Sequence, residues 1–223
     1  MLTLHHLWLC PFSRKVRLCL REKGLDAELA VENVWERRES FLALNPAGQV
    51  PVLVDDGVAL AESQAICEYL EEAYPSAGRT LLGLDATTRA EVRRLVLWFD
   101  LKFGREVTDN LVGEKLYKRL MGRGYPDSSA IRAGRQNLQY HLAYIGYLAE
   151  RRNWLAGDTL SLADLAAAAH VSCVDYLGDV PWEDYPEAKA WYVRIKSRPA
   201  FRPLLADHIA GLPPPRHYAD LDF

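Results

Sequence analysis

The chain has 223 residues, 49% of them hydrophobic, and a formal net charge of −3 at pH 7. Such a chain can bury a sizeable core in one or two domains, and its small net charge provides no field for drawing in nucleic acid or an anionic membrane. No run of about 18 apolar residues occurs, and the start MLTLHHLWLC lacks the basic flank and cleavage site of a secretory leader, so cytoplasmic residence without membrane insertion is expected.

An apolar extended run over residues 2–9 leads into a helical pattern at Val16, Leu18, Cys19 and Leu20. Cys10 therefore falls where a strand hands over to a helix N-terminus. A thiol there meets free N–H groups and the positive end of the helix dipole, with Arg14, Lys15 and Arg17 close by in sequence, all favouring thiolate. A second strand is expected at 28–31 and a short helix at 37–42. Val50-Pro51 then enters an apolar strand at 52–54, a position where proline is tolerated and often cis. Asp55-Asp56-Gly57 signals a hairpin turn, and Glu62-Ser63 opens a helix over 63–74, whose exposed N–H groups suit a carboxylate ligand. The order β-α-β-α-β-β-α is thioredoxin-like.

A Gly- and Pro-rich stretch follows, and the linker is placed at 78–87, between a domain over 1–77 and a helical domain over 88–210. Val92, Leu95, Val96, Phe99 and Phe103, then Leu138, Leu142, Ile145 and Leu148, recur at helical spacing. Ser161 with Asp164 reads as a capped start to a buried helix over 165–169. Residues 211–223, GLPPPRHYADLDF, form an expected extended tail with an acidic, aromatic tip.

Each candidate carries two readings. Cys10 is either a nucleophile or a small buried hydrophobe, and Ser13 either assists a Cys-x-x-Ser exchange chemistry or only caps its helix. Glu62 and Ser63 suit capping as well as ligand binding, and Pro51 is either architectural or part of a site. Trp35, in a charged segment, plugs a groove or anchors a partner. His5, His6, His170 and Cys173 read as packed residues, and Lys115, Lys118, Arg119 and Arg123 as a solvated face. Four cysteines (Cys10, Cys19, Cys67, Cys173) show no CxxC spacing and no histidine at ligand spacing, so neither a disulfide framework nor a metal site is expected. In the tail, Tyr218, Leu221 and Phe223 gain nothing in water and invite docking, with Asp220 and Asp222 supplying charge; the alternative is that the tip folds back onto the helical domain. The tail is expected to contribute little to either core.

The segments around Cys10, Val50-Pro51 and Glu62-Ser63, with LAGDTLSLAD at 155–164, resemble the glutathione S-transferase superfamily. The resemblance implies an α/β thioredoxin-like N-terminal domain plus an all-α C-terminal domain. It implies that Cys10 holds the catalytic position, that Val50 pairs main chain with the cysteinyl unit of glutathione, and that Glu62 and Ser63 hold its γ-glutamyl end. YHLAYIGYLAERRNW at 140–154, DYLGDVPW at 175–182 and HYADLDF at 217–223 are similar to the transferase-like division proteins of bacteria that bind the tubulin-like filament protein FtsZ. That similarity implies a homodimer at the division site, with FtsZ filaments as partner, no required cofactor, and glutathione as an optional ligand. It implies that the tip binds the partner, through His217, Tyr218, Asp220, Leu221, Asp222 and Phe223, to which Trp35 is added as a partner-binding residue from its charged setting. The rival expectation is a glutathione transferase or glutathione-dependent reductase using Cys10.

Overall fold

The computed structural model describes residues 1–221, so the expectations for Asp222 and Phe223 lie outside the described residues. Strand β1 (Leu2–His6) buries its alternate residues 2, 4 and 6, as a half-buried strand of period two must. It pairs in parallel with β2 (Ala27–Val31) and antiparallel with β3 (Val52–Asp55), which pairs with β4 (Val58–Ala61), in the order β2-β1-β3-β4. The β3–β4 turn has Asp56 at φ 44° and Gly57 at φ 89°, the left-handed pair that a two-residue hairpin demands. Helices α1 (Pro11–Glu22), α2 (Glu39–Leu44) and α3 (Ser63–Ala73) complete the thioredoxin-like unit expected from the sequence.

Helix α1 is sealed almost all round. Val16, Leu18, Cys19 and Leu20 are buried, and so are Arg14, Lys15 and Arg17. The reason is position: α1 lies between the sheet and the helical domain, where it packs on α7.

The helical domain begins with α4 (Ala86–Leu97), capped by the Asp85 carboxylate, which accepts from the Thr87 and Thr88 N–H groups at 3.0 Å each. The helix runs on through the π-helical segment Trp98–Tyr117 into α5 (Lys118–Leu120). Helix α6 (Ser128–Ala149) closes tightly on it at Gly134, where a Cβ would stand 2.8 Å from the Asn110 Cβ and 2.9 Å from the Leu111 Cγ. Helix α7 (Leu162–Tyr176) is buried along its whole length; its run of alanines lets α1, α4 and the segment after it approach on every side. Asp164 ties its start, accepting from the Ser161 and Leu155 N–H groups at 3.1 and 2.9 Å and from the Trp191 indole at 3.0 Å. Helices α8 (Pro186–Lys196) and α9 (Arg202–Leu205) follow. Among the described residues no helix is long and apolar enough to cross a membrane.

The tail departs from its expected form. Residues 216–218 make a single 3-10 turn, and Tyr218 is fully buried. Pro213, Pro214 and Pro215 do extend the stem, yet the stem lies on the helical domain: the Tyr176 hydroxyl donates to the Leu212 carbonyl at 2.9 Å. The folded-back alternative is the one the described residues adopt, because a buried tyrosine with two hydrogen bonds gains more than a solvated one.

Candidate functional site

Four sequence candidates meet at one edge of the sheet. A recess of about 100 Å³ is lined by Asn45, Gln49, Val50, Pro51, Glu62 and Ser63, with Phe12 on its α1 side. The Val50-Pro51 bond is cis. Glu62 holds φ 70°, a left-handed conformation that a residue with a side chain adopts only under constraint, and it directs the start of α3 at the recess. Ser63 is buried beside it.

Cys10 does not line this recess. It is 7% exposed at the N-cap of α1, with its sulfur 3.9 Å from the Val50 carbonyl. Burial pushes its thiol pKa up, and the hydrogen bonds from Ser13 and Phe12 and the charge of Arg14 offset that only in part. The expected thiolate is therefore corrected. Dipole and nearby cations favour charge, but removal from water outweighs them, and the cations are engaged elsewhere. Arg14 donates to the Trp8 carbonyl at 2.7 Å, to Ser172 at 2.8 Å, to the Tyr218 hydroxyl at 3.0 Å and to Asp207 at 3.0 Å. Arg17 grips the same Asp207 with two bonds of 2.8 Å, and Lys15 pairs with Asp100. Ser13 is buried and accepts from the Leu7 N–H at 3.4 Å, which ties the strand end to the helix start.

Iodoacetamide should accordingly label Cys10 slowly at neutral pH, with a labelling midpoint above the free-thiol value of about 8.5. The expected labelling curve rises only in alkali; a midpoint below that value would restore the nucleophile.

The basic residues of α1 join the domains through two acids, Asp100 and Asp207, that the sequence did not single out. Beside the Lys15–Asp100 pair, His170 stands 3.6 Å from the other Asp100 oxygen and shares a 2.8 Å hydrogen bond with Thr108. Burial lowers the pKa of His170 and drives that of His6 down to about 4, so both stay neutral at pH 7. Asp207 and Asp100 could have been sought as partners for three cations on one short helix, since buried charge demands a counter-charge. Their identity is invisible because they lie 85 or more residues away in the chain.

The remaining candidates are scattered. Trp35 sits half-buried in the 3-10 turn Val34–Glu36. Lys115 pairs with Asp179 at 2.5 Å, Lys118 with Glu114 at 2.7 Å, and Arg119 donates to the Gly211 carbonyl at 3.3 Å, so that face is laced by local partners. In the tail the imidazole of His217 meets Asp175 at 3.0 Å, Asp220 is exposed and Leu221 half-buried. Tyr218, expected as a docking residue, is enclosed and presents no surface to a partner.

Residues 4–79 match the family model for the glutathione S-transferase N-terminal domain, and residues 110–199 match that for the C-terminal domain. The chain belongs to the glutathione S-transferase superfamily. It is 51% identical to FtsZ-localized protein A of Caulobacter vibrioides, covering 99% of this chain and 98% of that one. Among solved structures it is similar to a glutathione S-transferase from Rhodospirillum rubrum F11, with 60% identity, a TM-score of 0.97 and all of both chains covered. It is also similar to FzlA from C. crescentus, with 50% identity, a TM-score of 0.95, and 100% and 99% of the two chains covered. The division-protein resemblance of residues 140–154, 175–182 and 217–223 thus agrees with a likeness that spans the chain.

Proposed function

We propose that this chain is a transferase-fold division protein that binds FtsZ filaments as a symmetric dimer in the cytoplasm at the division site. It biases filament curvature there without turning over a substrate. The observation that supports the reading is the sealed thiol: the recess at Val50, Pro51, Glu62 and Ser63 is formed, while the sulfur is outside it and burial pushes the thiol pKa up. The relative named for its localisation to FtsZ supplies the partner.

Exposed apolar side chains support the dimer reading. Leu97 and Leu101, one turn apart, are 54% and 62% exposed, and Tyr140 and Tyr147 of α6 are 59% and 53% exposed. Trp98 packs beside them, with the Lys102 ammonium 5.6 Å from its ring centre. Exposed apolar groups on neighbouring helices are a common mark of an interface. Two copies of a weak docking surface would raise avidity by about 10²–10⁴ without new contacts.

Co-sedimentation with purified FtsZ filaments tests the function, and light scattering the assembly. The chain should pellet with filaments and scatter as twice its 25.3 kDa mass. Absence from the pellet, or a monomer at micromolar concentration, removes the proposal. A second reading rests on the intact edge of Val50, Pro51, Glu62 and Ser63: glutathione binds, and Cys10 serves a transferase or reductase. Robust glutathione conjugation that disappears in Cys10→Ala would establish it.

A further inference from the structure

Between the stem of the tail and its last residues stands a side chain that the docking role cannot use directly. The Tyr218 ring is enclosed, 5.1 Å from the Tyr176 ring centre and at 75° to it. Its hydroxyl accepts from the Arg14 guanidinium at 3.0 Å and donates to the Leu204 carbonyl at 3.1 Å. Arg14 is itself held by Asp207, Ser172 and the Trp8 carbonyl. On the far side, the buried Lys196 ammonium donates to the His217 carbonyl at 3.1 Å and to the Asp220 carbonyl at 2.6 Å. Main-chain carbonyls on both sides of Tyr218 are thus drawn to one lysine, while its hydroxyl is drawn to one arginine.

We propose that Tyr218, clamped between Arg14 and Lys196, is a positioning residue that fixes the course of residues 219–221 against the helical domain and so sets where the tail meets the filament. This rests on the filament-binding reading above, with the acidic, apolar end of the tail taken as its docking element. An unanchored tip would have to be ordered as it binds, which weakens apparent affinity by the fraction of chains holding the right geometry. The clamp removes that cost beforehand. It also joins the tail to the first turn of α1, because the guanidinium that holds the Tyr218 hydroxyl belongs to Arg14 of that helix.

The experiment is a titration of polymerised FtsZ by co-sedimentation, reading both the dissociation constant and the amount bound at saturation. Tyr218→Ala should weaken binding about tenfold with saturation unchanged, since a less populated competent state raises the apparent constant but leaves the contact intact. Tyr218→Phe keeps the ring packed and loses only the hydroxyl, so it should weaken binding about threefold and decides the matter if the alanine variant does not fold. Trypsin should cut after Arg216 faster in both variants than in the parent. Wild-type dissociation constants in both, alongside a chain lacking 219–223 that no longer binds, would overturn the anchor and leave the functional reading standing. Wild-type binding by the chain lacking 219–223 would take down the reading, and the anchor with it.

Discussion

Asp207→Ala is expected to destabilise the protein by about 3–5 kcal/mol, because it leaves two guanidinium groups buried without their counter-ion. The Asp207 side chain is 1% exposed, and those of Arg14 and Arg17 are 0% and 4% exposed. No solvent is at hand to replace three hydrogen bonds. The effect should be far larger than for Arg21, whose pairing with Asp26 is open to water and screened. Urea denaturation measures it. Since α1 and the segment after α9 belong to different domains, the variant should also loosen the domain contact, seen as separate unfolding of the two halves. A loss below about 1 kcal/mol would mean that water reaches the cluster and that its closure is not structural.

Removing residues 216–223 should abolish filament binding and also lower stability, which reverses what the tail's composition suggests. The deletion takes away a fully buried tyrosine, of a size whose loss costs about 3–5 kcal/mol, and strips acceptors from Arg14 and Lys196. For a chain of this length that corresponds to a fall of roughly 10 °C in melting temperature. Removing only 219–223 leaves Tyr218 in place and should spare most of the stability while still abolishing binding. Melting curves for the two truncations side by side make the comparison. Equal melting temperatures for the longer deletion and the parent would show that the stem is not part of the core. Asp220→Lys should weaken binding more than Asp220→Ala, as like charge repels where neutralisation only removes attraction.

Local signals carried the architecture. The period-two strand at 2–6, the Asp56-Gly57 turn, the Pro51 entry to β3 and the Ser161–Asp164 cap each act within a few residues, and a backbone with few options answers to them directly. The family motifs at Val50-Pro51 and Glu62-Ser63 were legible for the same reason, and the structure brings those residues to one recess. What the sequence misassigned are charges and ends. Arg14, Lys15 and Arg17 sit near Cys10 along the chain and were expected to favour its thiolate; they turn instead to Asp207 and Asp100 from the helical domain, and burial decides the thiol. A terminal tyrosine behind three prolines reads as free, yet Tyr218 closes the core. The sequence by itself determined the elements, their order and the residues that meet at the recess on the sheet edge. Only the tertiary structure decided which charges are paired, which thiol is sealed and where the tail goes, because desolvation and long-range pairing depend on neighbours brought together from up to 204 residues apart.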